Sequence, residues 1–337
     1  MAEFAARDLV AAPFELAELE RAAQAVHEVL VPTPQLAWPL LAARLGCEAW
    51  VKHENHLPTG AFKVRGGLWF LACLQAAQPD CRGVVAATRG NHGQSIAFAA
   101  ARLGLRAVIV VPHGNNPDKN RAMRALGAEL VEAGEDFDAA LAVAAQRAAD
   151  EGLYALPSWH PVLVQGVASY ALELFRGMPP PDVVYVPIGL GSGACGVIAA
   201  RDALGLDCEV VGVVSVHADA YAQSFEQGQR VATTSADTLA DGLAVRTPSV
   251  PALAYLQQGL ARVVRVDDEA VLAAVRALLE DTHNLAEGAG AAPLAAALAE
   301  RERNAGRRVA LVLSGANLDR ATLARALDLT LEEETRS

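Results

Sequence analysis

Thr59-Gly60-Ala61-Phe62-Lys63-Val64-Arg65-Gly66 places one lysine in a Gly/Thr-flanked turn between two apolar runs. An amine so placed can form a Schiff base with an aldehyde cofactor, which makes Lys63 the first candidate nucleophile. The same octet also fits an exposed lysine at the start of a helix. The surrounding chain separates the two readings.

Outward from the octet, short apolar, β-branched runs at 48–52, 83–88, 107–111, 129–132, 183–187, 209–215, 263–266 and 309–314 have the length and composition of buried strands. Helical patterns alternate with them, at 15–30, 62–76, 92–103, 117–126, 137–150, 163–176, 193–204, 268–282, 293–305 and 319–327. That alternation predicts an α/β fold with parallel sheets covered by helices. Pro179-Pro180-Pro181 is the sharpest break in composition and marks a connection into a strand.

Three strand ends carry turns of chemical interest. Gly189-Leu190-Gly191-Ser192-Gly193 follows the 183–187 run and opens an Ala-rich helix. Glycines let the backbone approach an anion, and a helix N-terminus adds N–H donors and a positive dipole. The loop is neither a dinucleotide G-x-G-x-x-G with its later acidic residue nor a Walker loop, and it reads as a phosphate cradle. Thr88-Arg89-Gly90-Asn91-His92-Gly93 ends a second strand and can hold a substrate carboxylate; His92 alone reads as a locally satisfied cap residue. Ser314-Gly315-Ala316-Asn317 closes a third strand and can set a hydroxyl against a heterocycle nitrogen. His53 and His56 have no third and fourth ligand at useful spacing, so they read as neighbours of the lysine turn rather than metal ligands.

Composition narrows the function classes. At 337 residues the chain can form one large or two moderate domains with a substantial core. A net charge of −11, with no dense Lys/Arg stripe, argues against a nucleic-acid or anionic-membrane surface. The five cysteines are scattered without a C-x-x-C pair, so neither a disulfide framework nor a zinc cluster is indicated. The N-terminal stretch carries Glu3, Asp8, Glu15, Glu18 and Glu20 without an apolar signal region, and no 18-residue charge-free apolar run occurs. A soluble, cytoplasmic protein acting on small molecules is the expectation.

The lysine turn and the three Gly-rich strand ends, in this order and spacing, resemble the fold type II pyridoxal phosphate (PLP) enzymes, which are tryptophan synthase β-like. Within them the chain is most similar to the threonine dehydratase and serine racemase group, over nearly its whole length. The resemblance implies two three-layer, parallel-sheet domains with the cofactor at their cleft: a large domain of 1–68 and 157–337, and a small mobile domain of 69–156. It implies a homodimer. It makes Lys63 the PLP lysine and general base, with Phe62 beside it, Asn91 at the cofactor 3′-oxygen, and Gly189, Leu190, Gly191, Ser192 and Gly193 around the phosphate. Gly242 lies in a cofactor-side segment, Glu287 in an active-site turn, and Ser314 at the pyridine nitrogen. Thr88, Arg89, Gly90, Asn91, His92, Ser158 and Trp159 are the implied substrate neighbours. A neutral Ser314 favours elimination over transamination, because a carboxylate there would hold the ring nitrogen protonated.

The chain departs from this group at several points. Two consecutive serines usual before Gly-Asn-His are here Thr88 and Arg89, and an arginine cannot act as the opposite-face base of a racemase. Arg89 reads either as a clamp on a substrate carboxylate or as a structural ion pair. Ser158-Trp159-His160 could build a wall tolerant of an aromatic substituent, or Trp159 could be ordinary packing. Where relatives hold a divalent cation, this chain has Val214 and Ala220 around Asp219, so no metal is expected. About 20 residues follow Asn317, so no C-terminal regulatory domain is expected. The expected activity is a PLP-dependent ammonia-lyase converting an L-β-hydroxy-α-amino acid, by default L-threonine or L-serine, to a 2-oxo acid and ammonia. The alternatives are a dehydratase preferring 3-phenylserine or 3-hydroxyaspartate, a PLP-dependent β-replacement synthase, and a non-catalytic phosphate-ligand sensor.

Overall fold

The computed structural model describes residues 13–328; Glu3 and Asp8 of the acidic N-terminal stretch lie outside it. In chain order its elements are α1 (Leu16–His27), β1 (Gln35–Ala37), α2 (Pro39–Leu45), β2 (Glu48–His53), α3 (Lys63–Ala77), β3 (Gly83–Ala87), α4 (Asn91–Leu103), β4 (Arg106–Val111), α5 (Pro117–Ala125), β5 (Glu129–Glu132), α6 (Phe137–Glu151) and β6 (Tyr154–Ala155). They continue as α7 (Pro161–Gly177), β7 (Val183–Pro187), α8 (Ser192–Ala203), β8 (Glu209–Ser215), α9 (Ala220–Gln227), α10 (Val250–Gly259), β9 (Arg262–Val266), α11 (Asp268–Thr282), α12 (Gly288–Ala299), β10 (Arg308–Leu313) and α13 (Arg320–Ala326).

The strands form two sheets, ordered β1-β2-β10-β7-β8-β9 and β5-β4-β3-β6. Every pairing is parallel except that of β1 with β2. β1 is a three-residue edge strand returned by the short α2, too little chain for the right-handed crossover that a parallel neighbour needs. Period-2 alternation sorts β7 between two cores: Val184 and Val186 face α1, α7, α8 and α10, while Val183 and Tyr185 face α2, α11 and α12. The smaller sheet repeats the arrangement, with Val84 and Ala86 against α3 and α4, and Val85 and Ala87 against α6. Both sheets are therefore three-layered, and their strands read as unbroken apolar runs because both faces are buried.

All eight expected strands form, and two short ones, β1 and β6, are additional. Three helices are absent from the sequence expectation: α2, α9 and α10. α12 is displaced toward the N-terminus of the expected 293–305 span, because Pro293 sits inside the helix rather than opening it. A proline at the first helical position is the commoner pattern, and that prior misplaces this boundary.

Candidate active site

The lysine turn is stitched to the end of β10. Phe62 N donates to Ser314 O at 3.0 Å, Ala316 N to Gly60 O at 2.8 Å, and Asn317 Nδ2 to Thr59 O at 2.9 Å. Gly60 has φ +66°, and a Cβ there would meet Asn317 Oδ1 at 2.8 Å, so only glycine is relaxed at this position. Lys63 then opens α3 at the carboxyl ends of the strands, where open α/β sheets bind their ligands.

The half-buried Lys63 places Nζ 3.0 Å from Ser192 Oγ. Desolvation pulls its amine down to about 8, with Glu287 opposing the shift. A substantial neutral fraction near pH 8 is what a nucleophile or base requires.

Ser192 belongs to the glycine loop between β7 and α8. Gly191 has φ +96°, and a Cβ on Gly189 would lie 2.3 Å from Gly242 O. The Tyr221 hydroxyl donates to Leu190 O and the Tyr170 hydroxyl to Gly193 O, each at 3.0 Å. Two loop carbonyls are thereby engaged, while the N–H groups of Gly189 to Gly193 have no intramolecular acceptor among the described residues. Together with the N-terminus of the twelve-residue α8 they form an anion cradle.

Opposite the cradle, Asn91 Nδ2 donates to Glu287 Oε1 at 2.7 Å and Asn317 Nδ2 donates to Asn91 Oδ1 at 2.7 Å. One hydrogen of the Asn91 amide remains for a ligand. Burial raises the Glu287 carboxyl, and Lys119 and Asn91 oppose that rise. Desolvation and the nearby Lys63 push His92 down to about 3, so the ring is neutral at working pH, and its Nε2 is buried without a partner. Thr88 Oγ1 accepts from Gly90 N at 3.1 Å and caps the turn.

One cavity of about 520 Å³ is lined by Phe62, Lys63, Thr88, Arg89, Gly90, Asn91, His92, Ser158, Gly189 to Gly193, Gly242, Glu287 and Ser314. The turns scattered over 250 positions of sequence thus meet at one site. Trp159 is the exception: it packs against the apolar core around α7 and α8 and is not on the cavity wall. A large indole gains more from that apolar contact than from a wet mouth. Lys119, Asp136, Asp138, Asp237 and Arg246 also line the cavity. They lie on helix starts and irregular loops without a recognisable motif; the irregular backbone between α9 and α10 is the one sequence signal for Asp237 and Arg246.

His53 accepts from Trp38 Nε1 at 3.0 Å, and His56 bonds Asn284 Oδ1 at 2.6 Å. No cluster of three or more His, Cys, Asp or Glu suited to a metal occurs among the described residues. Asp219 instead accepts from Arg265 Nε at 3.0 Å.

Two parallel-sheet domains, a lysine amine at an anion cradle, and a hydroxyl across the cleft define the class: a fold type II PLP enzyme. Residues 26–315 match the pyridoxal-phosphate dependent enzyme family, and the chain belongs to that family. It is 36% identical over 282 residues to the L-threonine ammonia-lyase of Geobacter sulfurreducens, covering 83% of this chain and 70% of that protein. It is 33% identical over 301 residues to the biosynthetic L-threonine dehydratase of Haemophilus influenzae, covering 88% of this chain but only 58% of the relative. The processed form of threonine deaminase isoform 2 from Solanum lycopersicum superposes with a TM-score of 0.86 at 28% identity, covering 94% of each chain.

The residues present fit PLP. The cradle offers unpaired N–H groups where a Cβ would intrude, and Lys63 reaches its edge. No helix among the described residues is long and apolar enough to cross a membrane.

Proposed function

We propose that the protein is a PLP-dependent ammonia-lyase that converts an L-β-hydroxy-α-amino acid, with L-threonine or L-serine as the default, to a 2-oxo acid and ammonia. The observation that carries this reading is the Lys63 amine, lowered to about 8 and 3.0 Å from Ser192 at the rim of the cradle. The similarity to threonine ammonia-lyases supports the same assignment.

Bound PLP supplies an electron sink conjugated to the substrate Cα. Lys63 would hold the cofactor, and its neutral Nζ would accept the Cα proton of the substrate. The Cβ–O bond then breaks and the hydroxyl leaves as water; hydrolysis returns one water and releases ammonia. The loop at Gly189 to Gly193 and the α8 N-terminus would hold the phosphate dianion. Ser314, a neutral hydroxyl on the cavity wall, would pair with the ring nitrogen without imposing a proton on it. The remaining Asn91 N–H would orient the 3′-oxygen, and Arg89, Ser158 and the start of α4 would contact the substrate.

Residues 69–156 form the small mobile domain in this reading, and its closure excludes water until the proton has been removed. A homodimer is supported by Val31, Leu36 and Leu40, which are 81%, 45% and 59% exposed around the edge strand β1. Lys63→Ala is expected to abolish both visible cofactor absorbance and 2-oxo acid release; a colourless wild-type protein after PLP addition would refute the proposal.

A further inference from the structure

Arg89 lines the cavity and is exposed, and among the described residues it is the cavity-lining cation for which no bond to a protein group is present. The other cations are engaged: Lys119 with Asp241, Arg246 with Asp136 and Asp138, and Lys63 with Ser192. Asp237 shares the cavity wall but makes no ion pair with Arg89. A guanidinium held at a ligand cavity without a carboxylate partner is a recognition group for one, through a planar, bidentate fork.

The carboxylate that every α-amino acid carries already has a place. The first hydrogen bond of the thirteen-residue α4 runs from Gln94 N to Gly90 O, which leaves the N–H groups of Asn91, His92 and Gly93 without intrahelical acceptors. Arg89 is therefore a charge beyond what the α-carboxylate needs. We infer that the substrate carries a second carboxylate on its β-carbon, so that Arg89 selects a 3-hydroxyaspartate-type dicarboxylic amino acid over threonine or serine.

The inference rests on the dehydratase reading and narrows its substrate class. The reaction balances as before: the Cα proton goes to Lys63, the β-hydroxyl leaves as water, one water is taken up, and oxaloacetate and ammonia are the products. Charge-assisted hydrogen bonds of this kind correspond to about a 10- to 100-fold preference.

The test has two arms on the holoenzyme and its Arg89→Gln and Arg89→Lys variants. In the first, the kcat/KM for L-threo-3-hydroxyaspartate is divided by that for L-threonine. The wild-type ratio is expected to exceed one, to fall about 10- to 100-fold in Arg89→Gln, and to fall less in Arg89→Lys, which keeps the charge but loses the fork. A ratio unchanged by Arg89→Gln, as a clamp on the α-carboxylate would produce, overturns the inference. In the second arm, equilibrium binding of L-aspartate is compared with that of L-asparagine, which has nearly the same shape and lacks the charge. Tighter binding of aspartate that disappears in Arg89→Gln supports the inference, and equal binding in the wild type overturns it. If no substrate yields a 2-oxo acid while the Arg89-dependent preference for aspartate persists, the dehydratase reading fails and the charge recognition stands.

Discussion

Gly189 shows how much a single position can carry. Its Cβ would fall 2.3 Å from Gly242 O, backbone against backbone, so Gly189→Ala cannot be absorbed by a rotamer change. One of the two segments must shift, at a cost of about 1–3 kcal/mol. Cofactor titration of Gly189→Ala is expected to give at least about a tenfold weaker dissociation constant, with the far-ultraviolet spectrum unchanged. An unaltered constant would mean that the cradle is not the phosphate site. At this scale the sequence was informative about Gly189, since a Gly-rich turn between a strand and a helix has a physical meaning of its own. The resemblance set Gly242 beside the cofactor, but no local pattern marked it as the wall opposing Gly189, because that contact joins segments some fifty residues apart.

α3 presents Lys63 to the cleft and is anchored behind it by a buried charge cluster. The fully buried Arg65 forms paired hydrogen bonds with Glu54 at 2.6 and 2.9 Å and with Glu173 at 2.6 and 2.9 Å, while Lys52 Nζ reaches Glu173 at 2.5 Å. Two cations balance two carboxylates, so removing one leaves an uncompensated buried charge. Arg65→Met is expected to lower unfolding free energy by about 3–5 kcal/mol in denaturant titration, and to loosen Lys63 two residues away. Burial raises the Glu173 carboxyl, but Arg65 and Lys52 outweigh it and hold the group at about 2. A depressed carboxyl contributes stability above its unfolded value of about 4.3 and loses it as pH falls toward the folded value. Wild-type stability should therefore fall between about pH 4 and pH 2, and Arg65→Met should flatten that part of the profile. The octet disclosed Arg65 but not its partners. α2, α9 and α10 escaped the sequence reading for a related reason: they are short, of mixed polarity, and held by tertiary packing more than by periodicity.

At the scale of the molecule, the mouth of the cleft is bridged by ion pairs between the two sheets' domains. Lys119 at the start of α5 meets Asp241, and Arg246 on the loop between α9 and α10 meets Asp136 and Asp138 at the start of α6. Partly exposed pairs such as these add little to global stability and are screened by salt. If the small domain moves as proposed, their consequence falls on the opening and closing of the cleft. Catalytic efficiency is expected to change with ionic strength in the wild type and to change distinctly less in Arg246→Gln, as kcat/KM against added salt would reveal. Parallel salt profiles would exclude these pairs as a closing device. The α/β architecture, the strand ends and the lysine turn were determined by the sequence alone, because strand burial, glycine conformation and helix N-termini are local consequences of residue type; the division into two domains came only through the family resemblance. Only the tertiary structure decided that Trp159 packs away from the cavity, that Lys119 and Arg246 are already neutralised, and that Arg89 is left on the cavity wall without an ion-pair partner. Charge pairing across a cleft depends on distances between segments remote in the chain, and no local pattern encodes those distances.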